Sequence, residues 1–411
     1  MKRTLSILLI ALNFSAFAQL QVSVLNITTN DLVYDANTNR IYVSIPSTNG
    51  ANGNSIGVIN PVTKTLENTV FVGSEPSVLA ISDNGQYIYS GFTGTSTVRR
   101  FEVATQTAGL QFSLGSDSSL GSYYVEDIEV MPGSPTTIAI SRRNVGFSPK
   151  HEGVVIYDNA IMRPTVTPDH TGSNRIEFTG QNTLVGYNNE TTDYGIRRMA
   201  VNTGGVVISN VTQNVLSGFG VDFIYKNNVM YSTNGRVIDI AGAPFVSGQF
   251  ANVDGPVAYD EYYNRVCFAS KEFGGNLTFK RFNPNNFLVF DTLPLNQSSG
   301  TAKSLITCGN GCYAMSTTDN KVIIINDSTL GIAENVKTKI TVYPNPANDF
   351  IAVDSDVEIT KFKIFDLNGR AVNTGSPLNN RIDVNTLQRG IYLVQFTDVE
   401  GGTTIEKFVK S

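Results

Sequence analysis

Apolar and polar positions alternate with a period near two through most of residues 28–327, and tight turns cut the alternation at regular intervals. The first turn of each unit follows Tyr34, Ile81, Val130, Phe178, Ile224, Tyr259 and Thr307, so successive units are 47, 49, 48, 46, 35 and 48 residues apart. Asn37, Asn84-Gly85, Asn227-Asn228 and Gly309-Asn310-Gly311 supply the turn residues, because Gly and Asn tolerate positive φ. Second strands are predicted at 40–44, 87–90, 137–141, 183–186, 229–232, 265–269 and 313–316. Third strands are predicted at 56–60, 97–103, 154–158, 195–201, 237–240, 277–282 and 321–326. One such sheet cannot bury both of its faces, so the units must stack, and a ring closes the stack. The pattern predicts an all-β fold with a seven-bladed β-propeller over 19–327. Two β-sandwiches in tandem are the alternative, which the regular spacing disfavours. Unit seven lacks a fourth strand, while Gln21–Ile27 alternates without a unit of its own. That segment is expected to be the outer strand of the seventh blade.

Alternation lapses over 328–338, which reads as a linker, and returns over 339–411. There Ile351 and Val353 alternate with Ala352 and Asp354, Phe362 and Ile364 with Lys361 and Lys363, and Ile391–Phe396 is a central-strand run. Short strands separated by turns predict a small immunoglobulin-like β-sandwich. Pro344 and Pro346 remove two backbone donors, so the strand beginning near Ile340 must stop or lie at an edge there. At the other end, Lys2-Arg3, the apolar run Leu5–Leu12 and Ala16-Phe17-Ala18 have the order of a signal peptide over 1–18, leaving Gln19 first in the mature chain. No cysteine follows the cleavage site, and no later apolar run reaches membrane-spanning length, so no transmembrane segment is expected in the mature chain.

Four motifs of the last region occur in a fixed order: Tyr343-Pro344-Asn345-Pro346, Gly369-Arg370, Gly390-Ile391-Tyr392 and Lys407-Phe408-Val409-Lys410. Together they resemble the type A C-terminal sorting domain of the Bacteroidetes type IX secretion system. Phe350 stands where that family usually has Leu. The resemblance implies passage through the periplasm, secretion or display at the outer-membrane surface, and the type IX secretion machinery as a partner. It also implies that an export peptidase separates tail from cargo within the linker. Two shorter resemblances accompany it. Tyr42-Val43-Ser44 after Asn37-Thr38-Asn39-Arg40 is similar to the Tyr-Val-Thr-Asn class of bacterial surface propellers. Asp291-Thr292-Leu293 and Asp327-Ser328-Thr329 match the short acceptor pattern of Bacteroidetes O-glycosylation, which implies modification at Thr292 and Ser328.

Charge narrows the function classes. The net charge is −5, and residues 336–411 carry nine basic and nine acidic residues, so the negative balance lies in the repeat region. Nucleic acid, which requires a basic stripe, is not an expected partner. Cys308-Gly309-Asn310-Gly311-Cys312 sets two cysteines across a tight hairpin loop, where opposed Cα atoms sit about 4.5–5.5 Å apart, within disulfide range. A bridge and two packed thiols are both open for this pair, whereas Cys267, on an apolar strand, is expected to be a buried free thiol.

Residues with catalytic potential are few. His151 and His170 are the two imidazoles, both placed in loops, and no Gly-x-Ser-x-Gly, phosphate loop, dinucleotide fingerprint or zinc-type His pair occurs. No cofactor and no metal site is expected. Glu126, Asp127, Glu129 and Asp222 lie near the starts of first strands, the innermost of a propeller, where Asp127 and Asp222 can point into the channel. A solvated lining is the expectation for them. Loops between second and third strands differ most in length, and Arg142, Arg143, Tyr187, Asn188, Tyr194 and Phe273 fall on them. They are expected to form a rim of Arg and aromatic side chains, which interfaces favour for their forked donors and large apolar area. The expected function is a secreted or cell-surface propeller that binds an extracellular glycan, protein or small molecule. A channel enzyme (lyase, lactonase or glycan-active) and a structural adhesin are the alternatives.

Overall fold

The computed structural model describes residues 19–271, 274–328, 340–355, 358–366, 370–378, 380–399 and 403–411. The signal peptide expected over 1–18, Phe273, Gly369 and the linker beyond Ser328 lie outside the described residues. The chain divides into two compact units, Met1–Ser328 and Thr329–Ser411.

Among the described residues, the first unit holds seven four-stranded antiparallel sheets and one two-stranded sheet, Ser116–Asp117 with Gly121–Ser122. Blade 1 runs Leu32–Asp35, Arg40–Ile45, Ser55–Asn60 and Thr65–Phe71, and blade 2 Pro76–Ile81, Tyr87–Phe92, Thr97–Glu102 and Thr107–Ser113. Blade 3 runs Tyr124–Val130, Thr137–Arg143, His151–Asp158 and the two-residue strand Ile161–Met162. Blade 4 runs Arg175–Gly180, Thr183–Tyr187, Ile196–Asn202 and Gly205–Thr212, and blade 5 Phe223–Lys226, Val229–Ser232, Arg236–Asp239 and Phe245–Gln249. Blade 6 runs Val257–Asp260, Arg265–Lys271, Leu277–Phe282 and Val289–Pro294. Blade 7 takes Ala302–Thr307, Cys312–Thr317 and Lys321–Ser328 from its own region and Gln19–Asn26 from the start of the chain.

The borrowed strand pairs antiparallel with the third strand of blade 7, from Gln19 opposite Ser328 to Asn26 opposite Lys321. First strands of successive blades touch, and the first strand of blade 7 meets that of blade 1, which closes the ring. Hydrophobic clusters form between blades rather than within them. Tyr42, Ile56 and Val58 of blade 1 pack on Leu79, Ile88 and Phe101 of blade 2, and Ile41 and Val43 of blade 1 pack on Ala314, Val322 and Ile324 of blade 7. Second strands are therefore buried on both faces, as over Ile41–Ile45, while outer strands such as Thr65–Phe71 keep a solvent face. Burial of each large aliphatic or aromatic side chain contributes roughly 1.5–3 kcal/mol, and it requires the neighbouring blade to be present. Cys308 and Cys312 form a disulfide across the first hairpin of blade 7, with Cα atoms 4.8 Å apart, and Cys267 is a buried free cysteine.

The second unit contains two sheets. One holds Ile340–Tyr343, Phe350–Ser355 and Arg381–Asp383; the other holds Ala371–Gly375, Ile359–Phe365, Gly390–Asp398 and Thr403–Lys410. Ile351, Val353 and Ile382 of the first sheet share a core with Phe362, Ile364, Tyr392, Val394, Phe396 and Phe408 of the second.

Candidate functional site

Of the residues expected to form a rim, Arg142, Tyr187 and Asn188 are buried, while Arg143 and Tyr194 are partly accessible. The second and third strands of blade 3 extend further than predicted, so Arg142 and Arg143 continue the hairpin instead of lying in a loop, and Arg143 pairs with His151. Alternation turns Arg142 inward, where it is 8% exposed. Its Nε and Nη2 donate to the Glu152 carbonyl at 3.1 and 2.8 Å, and its guanidinium lies 4.3 Å from the centroid of the Tyr123 ring. Tyr187 is fully buried and donates its hydroxyl to the Gly218 carbonyl at 3.1 Å. Asn188 is also buried, its Oδ1 accepting the Glu190 and Thr191 N–H groups at 3.1 Å to shape the loop that follows. These three residues hold the fold together and have no free face for a ligand. Arg143 and Tyr194 remain partly accessible, one paired with Glu126 at 3.0 Å and the other packed edge-on against Phe219 at 5.2 Å. His151 is buried, and its pKa is pushed down to about 3 by burial and by Arg197 and Arg142, which keeps the ring neutral at ordinary pH.

The axis of the propeller is the alternative concave site. A cavity of about 600 Å³ is lined by Asp31, Asp127, Glu129, Glu177, Asp222 and Asp254, with Arg175 and Lys303 the cations beside them. First strands place these groups. Period-two alternation sends Asp127 and Glu129 to one face of blade 3, and Arg175 and Glu177 to the corresponding face of blade 4. The aspartates also link blades. Asp31 accepts the N–H of Leu32 at 2.8 Å and that of Leu79 in blade 2 at 2.9 Å. Asp127 accepts the N–H of Ile128 at 3.0 Å and that of Ile176 in blade 4 at 2.8 Å. The exposed inner edge of a propeller sheet leaves such donors unpaired, and a carboxylate satisfies two of them at once.

Arg175 lies among these carboxylates, 3.4 Å from Asp222 and 3.7 Å from Glu126, and donates to the Glu126 carbonyl at 3.2 Å. Burial pushes Asp31 up to about 6 and Asp127 up to about 7, against the lowering effect of their N–H donors and of Arg175. Burial raises Glu129 and Glu177 well above the carboxylate range, Glu129 further because of the charge of Glu177, and Glu177 because of Asp127 and Asp222. All of these side chains keep some surface towards the cavity, so water there moderates the penalty. Among the described residues, no group of three or more His, Cys, Asp or Glu is arranged to hold a metal ion. Asp127 and Asp222 were expected near the channel, but Asp31, Arg175 and Glu177 were not. A repeat-based signal exists for Asp31 and Arg175: like Asp127, each stands three residues before the residue that precedes the first turn of its unit.

The sorting motifs of the tail are joined in space. The Asn345 side chain donates to the Lys407 carbonyl at 3.2 Å and accepts the Val409 N–H at 2.9 Å, so it pairs with the last strand as a backbone unit would. The Ala347 N–H continues the pairing to the Val409 carbonyl at 2.8 Å. Tyr392 stacks on Phe408 with centroids 5.7 Å apart and donates its hydroxyl to the Gln388 carbonyl at 2.9 Å. Arg370 closes its hairpin by pairing with Asp366 at 3.2 Å. Gly369 is outside the described residues.

Residues 341–411 match the Secretion system C-terminal sorting domain family. Among curated proteins, β-agarase D of Zobellia galactanivorans is 32% identical over 73 residues, which are 18% of this chain and 15% of that protein. The chain thus spans a small fraction of that relative's length. Among solved structures, the β-propeller domain of Myceliophteria thermophila Cps50 (Swd1) superposes with a TM-score of 0.57 at 10% identity, covering 74% of this chain and 98% of that one. Kuenenia stuttgartiensis hydrazine synthase superposes with a TM-score of 0.56 at 12% identity, covering 74% and 96%. At such identities the likeness establishes the propeller fold alone. Among the described residues no helix is long and apolar enough to cross a membrane. The protein is therefore a β-propeller joined to a C-terminal sorting domain, which directs it through type IX secretion to the cell surface or the extracellular space.

Proposed function

We propose that this exported propeller is a binding protein whose ligand occupies the acid-lined cavity on its axis. The carrying observation is the cavity of about 600 Å³ with six lining carboxylates against Arg175 and Lys303. Carboxylates accept hydrogen bonds from hydroxyl groups and attract ammonium groups, so the ligand class is hydroxyl-rich and neutral or cationic, with a neutral or amino-substituted glycan as its simplest member. Anionic glycans are disfavoured by the same lining. The reading includes a signal peptide over 1–18 and an immunoglobulin-like sandwich for the tail. It also includes O-glycosylation at Thr292, whose residue is exposed on the outer strand of blade 6.

Calorimetric titration of the full mature chain with neutral, amino-substituted and acidic oligosaccharides tests the proposal. Binding of the first two, weakened at least ~10-fold by Glu129→Gln with Glu177→Gln, is expected, as for a central polar contact in a desolvated site. No binding, or binding unchanged in the double variant, sinks it. The raised carboxyls of Glu129 and Glu177 favour a second reading, a glycan-active or lactone-opening channel enzyme. Burial and the charges of neighbouring acids raise both groups, which is the direction that favours a general acid. Turnover of a bound oligosaccharide that disappears in Glu129→Gln would establish that reading over simple binding.

A further inference from the structure

The tail carries a sheet face that stays exposed among the described residues of its own unit. In the sheet of Ile359–Phe365, Gly390–Asp398 and Thr403–Lys410, alternate residues face the core, and the others form the outer face. The register sets Leu393 between Phe365 and Lys407, and Gln395 between Lys363 and Ile405. Ile391, Leu393 and Ile405 on this face are 41, 37 and 58% exposed. Lys361, Lys363 and Lys407 are also exposed, and Lys363 extends over the Phe365 ring, 5.3 Å from its centroid.

The distribution of charge is uneven. Residues 336–411 hold equal numbers of basic and acidic residues, yet among the described strand residues of this face the charged side chains are lysines, with Glu358 paired to Val399 at its far end. The outer face of the other sheet mixes signs, with Asp354 and Asp383 beside Arg381. A face that leaves Ile and Leu exposed between lysines has the composition of a docking surface. Its complement is a surface with an apolar ridge flanked by carboxylates. Gln395 and Thr397 lie along the same face and supply polar side chains between the apolar ones, which suits a protein ridge better than lipid.

We propose that this face is where the sorting tail docks on an acidic, apolar-ridged protein surface during export. Lys361, Lys363 and Lys407 set its orientation, and Leu393 and Ile405 supply the buried contact. The inference rests on the sorting function of residues 341–411. Lysines at the edge of such an interface act mainly on association, and the central aliphatic side chains act on lifetime.

The test measures, in the native host, the fraction of full-length protein reaching the cell surface or medium. Variants are Lys361→Glu with Lys363→Glu and Lys407→Glu, Leu393→Ser with Ile405→Ser, the three Lys→Arg changes, and deletion of 341–411. Protease resistance of the purified variants checks that the tail still folds. The expected result is at least a ~10-fold loss of export for the Glu and Ser variants with folded tails, and near-normal export for the Arg variant, because Arg preserves charge. If the deletion abolishes export while folded Glu and Ser variants are exported normally, the docking face is wrong and the sorting function stands. If the deletion is itself exported, the sorting function fails first. If export is normal but the Glu variant loses flotation with vesicles of anionic phospholipid, the face contacts membrane, which overturns the proposal of a protein partner. Should the Glu variant not fold, the Ser variant decides.

Discussion

Arg281 Nη1 donates to Asp327 Oδ2 at 2.6 Å, which ties the third strand of blade 6 to the third strand of blade 7 beside the ring closure. The same guanidinium donates from Nε to Asp291 Oδ1 at 3.0 Å on the outer strand of blade 6 and from Nη1 to the Tyr313 hydroxyl at 3.3 Å. The Arg281 and Asp327 side chains are 4 and 6% exposed. Asp291 and Asp327 are also the acidic residues of the two short glycosylation patterns, so both are held in place by one arginine.

Removal of Asp327 leaves the buried Arg281 Nη1 without its carboxylate acceptor, with Asp291 as the carboxylate still holding the guanidinium. Asp327→Ala is expected to lower the unfolding free energy by about 3 kcal/mol. Urea denaturation of the mature chain measures it, and an unchanged midpoint would show that the pair is not a structural lock.

The clasp makes a second prediction. Deletion of Gln19–Asn26 exposes the edge of Lys321–Ser328 and uncovers the side of blade 7 against which Leu20, Val22 and Val24 pack. The thermal midpoint should fall by more than ~10 °C, since losing several half-buried aliphatic contacts removes several kcal/mol. Restoring the strand as a separate peptide should recover part of the loss. A midpoint within a degree or two of the parent contradicts closure by this strand.

Channel carboxylates predict a pH dependence. Asp31 at about 6 and Asp127 at about 7 are raised above the unfolded value near 3.8, and Glu129 and Glu177 are raised as well. In that window the folded state holds more protons than the unfolded one. The stabilising contribution is therefore complete below about pH 4 and is lost as pH rises to about 7. His151, lowered to about 3, acts oppositely, removing stability as pH falls below about 6.5. The comparison of Glu129→Gln with Glu177→Gln against the parent cancels the histidine contribution. The double variant should gain stability relative to the parent as pH increases from 5 to 8. A difference that stays flat with pH would show that these carboxyls are fully hydrated.

In the tail, Asn345→Ala deprives the Val409 N–H of its acceptor and the Lys407 carbonyl of a donor. Each lost hydrogen bond is worth about 1 kcal/mol, so exchange of the Val409 amide should speed up by roughly 10-fold. Exchange in the propeller blades should not change. Unaltered Val409 protection would mean that the Ala347 pairing alone holds the segment.

Much of the architecture could be read along the chain. Alternation at Ile41–Ile45 or Ile323–Ile325, broken by Asn and Gly turns every 46–49 residues in most units, is local information, because side-chain direction along a strand depends on neighbours two residues away. The orphan strand near Gln21 was recognisable for the same reason, as was the order of motifs in the tail. The chemistry of the site was not local. Whether Arg142 lies in a loop or inside depends on how far a hairpin zips, and the backbone pairing of Arg143 with His151 decides it. Whether Asp31 is a solvated acid or a blade-to-blade link depends on Leu79, 48 residues away, which the stacking of blade 2 on blade 1 brings to 2.9 Å. The periodic pattern determines which residues share a face of one sheet. Closure of seven sheets around an axis determines which faces meet, which carboxylates crowd together and lose water, and which cations remain among them, because those interactions depend on distance through space and not along the chain.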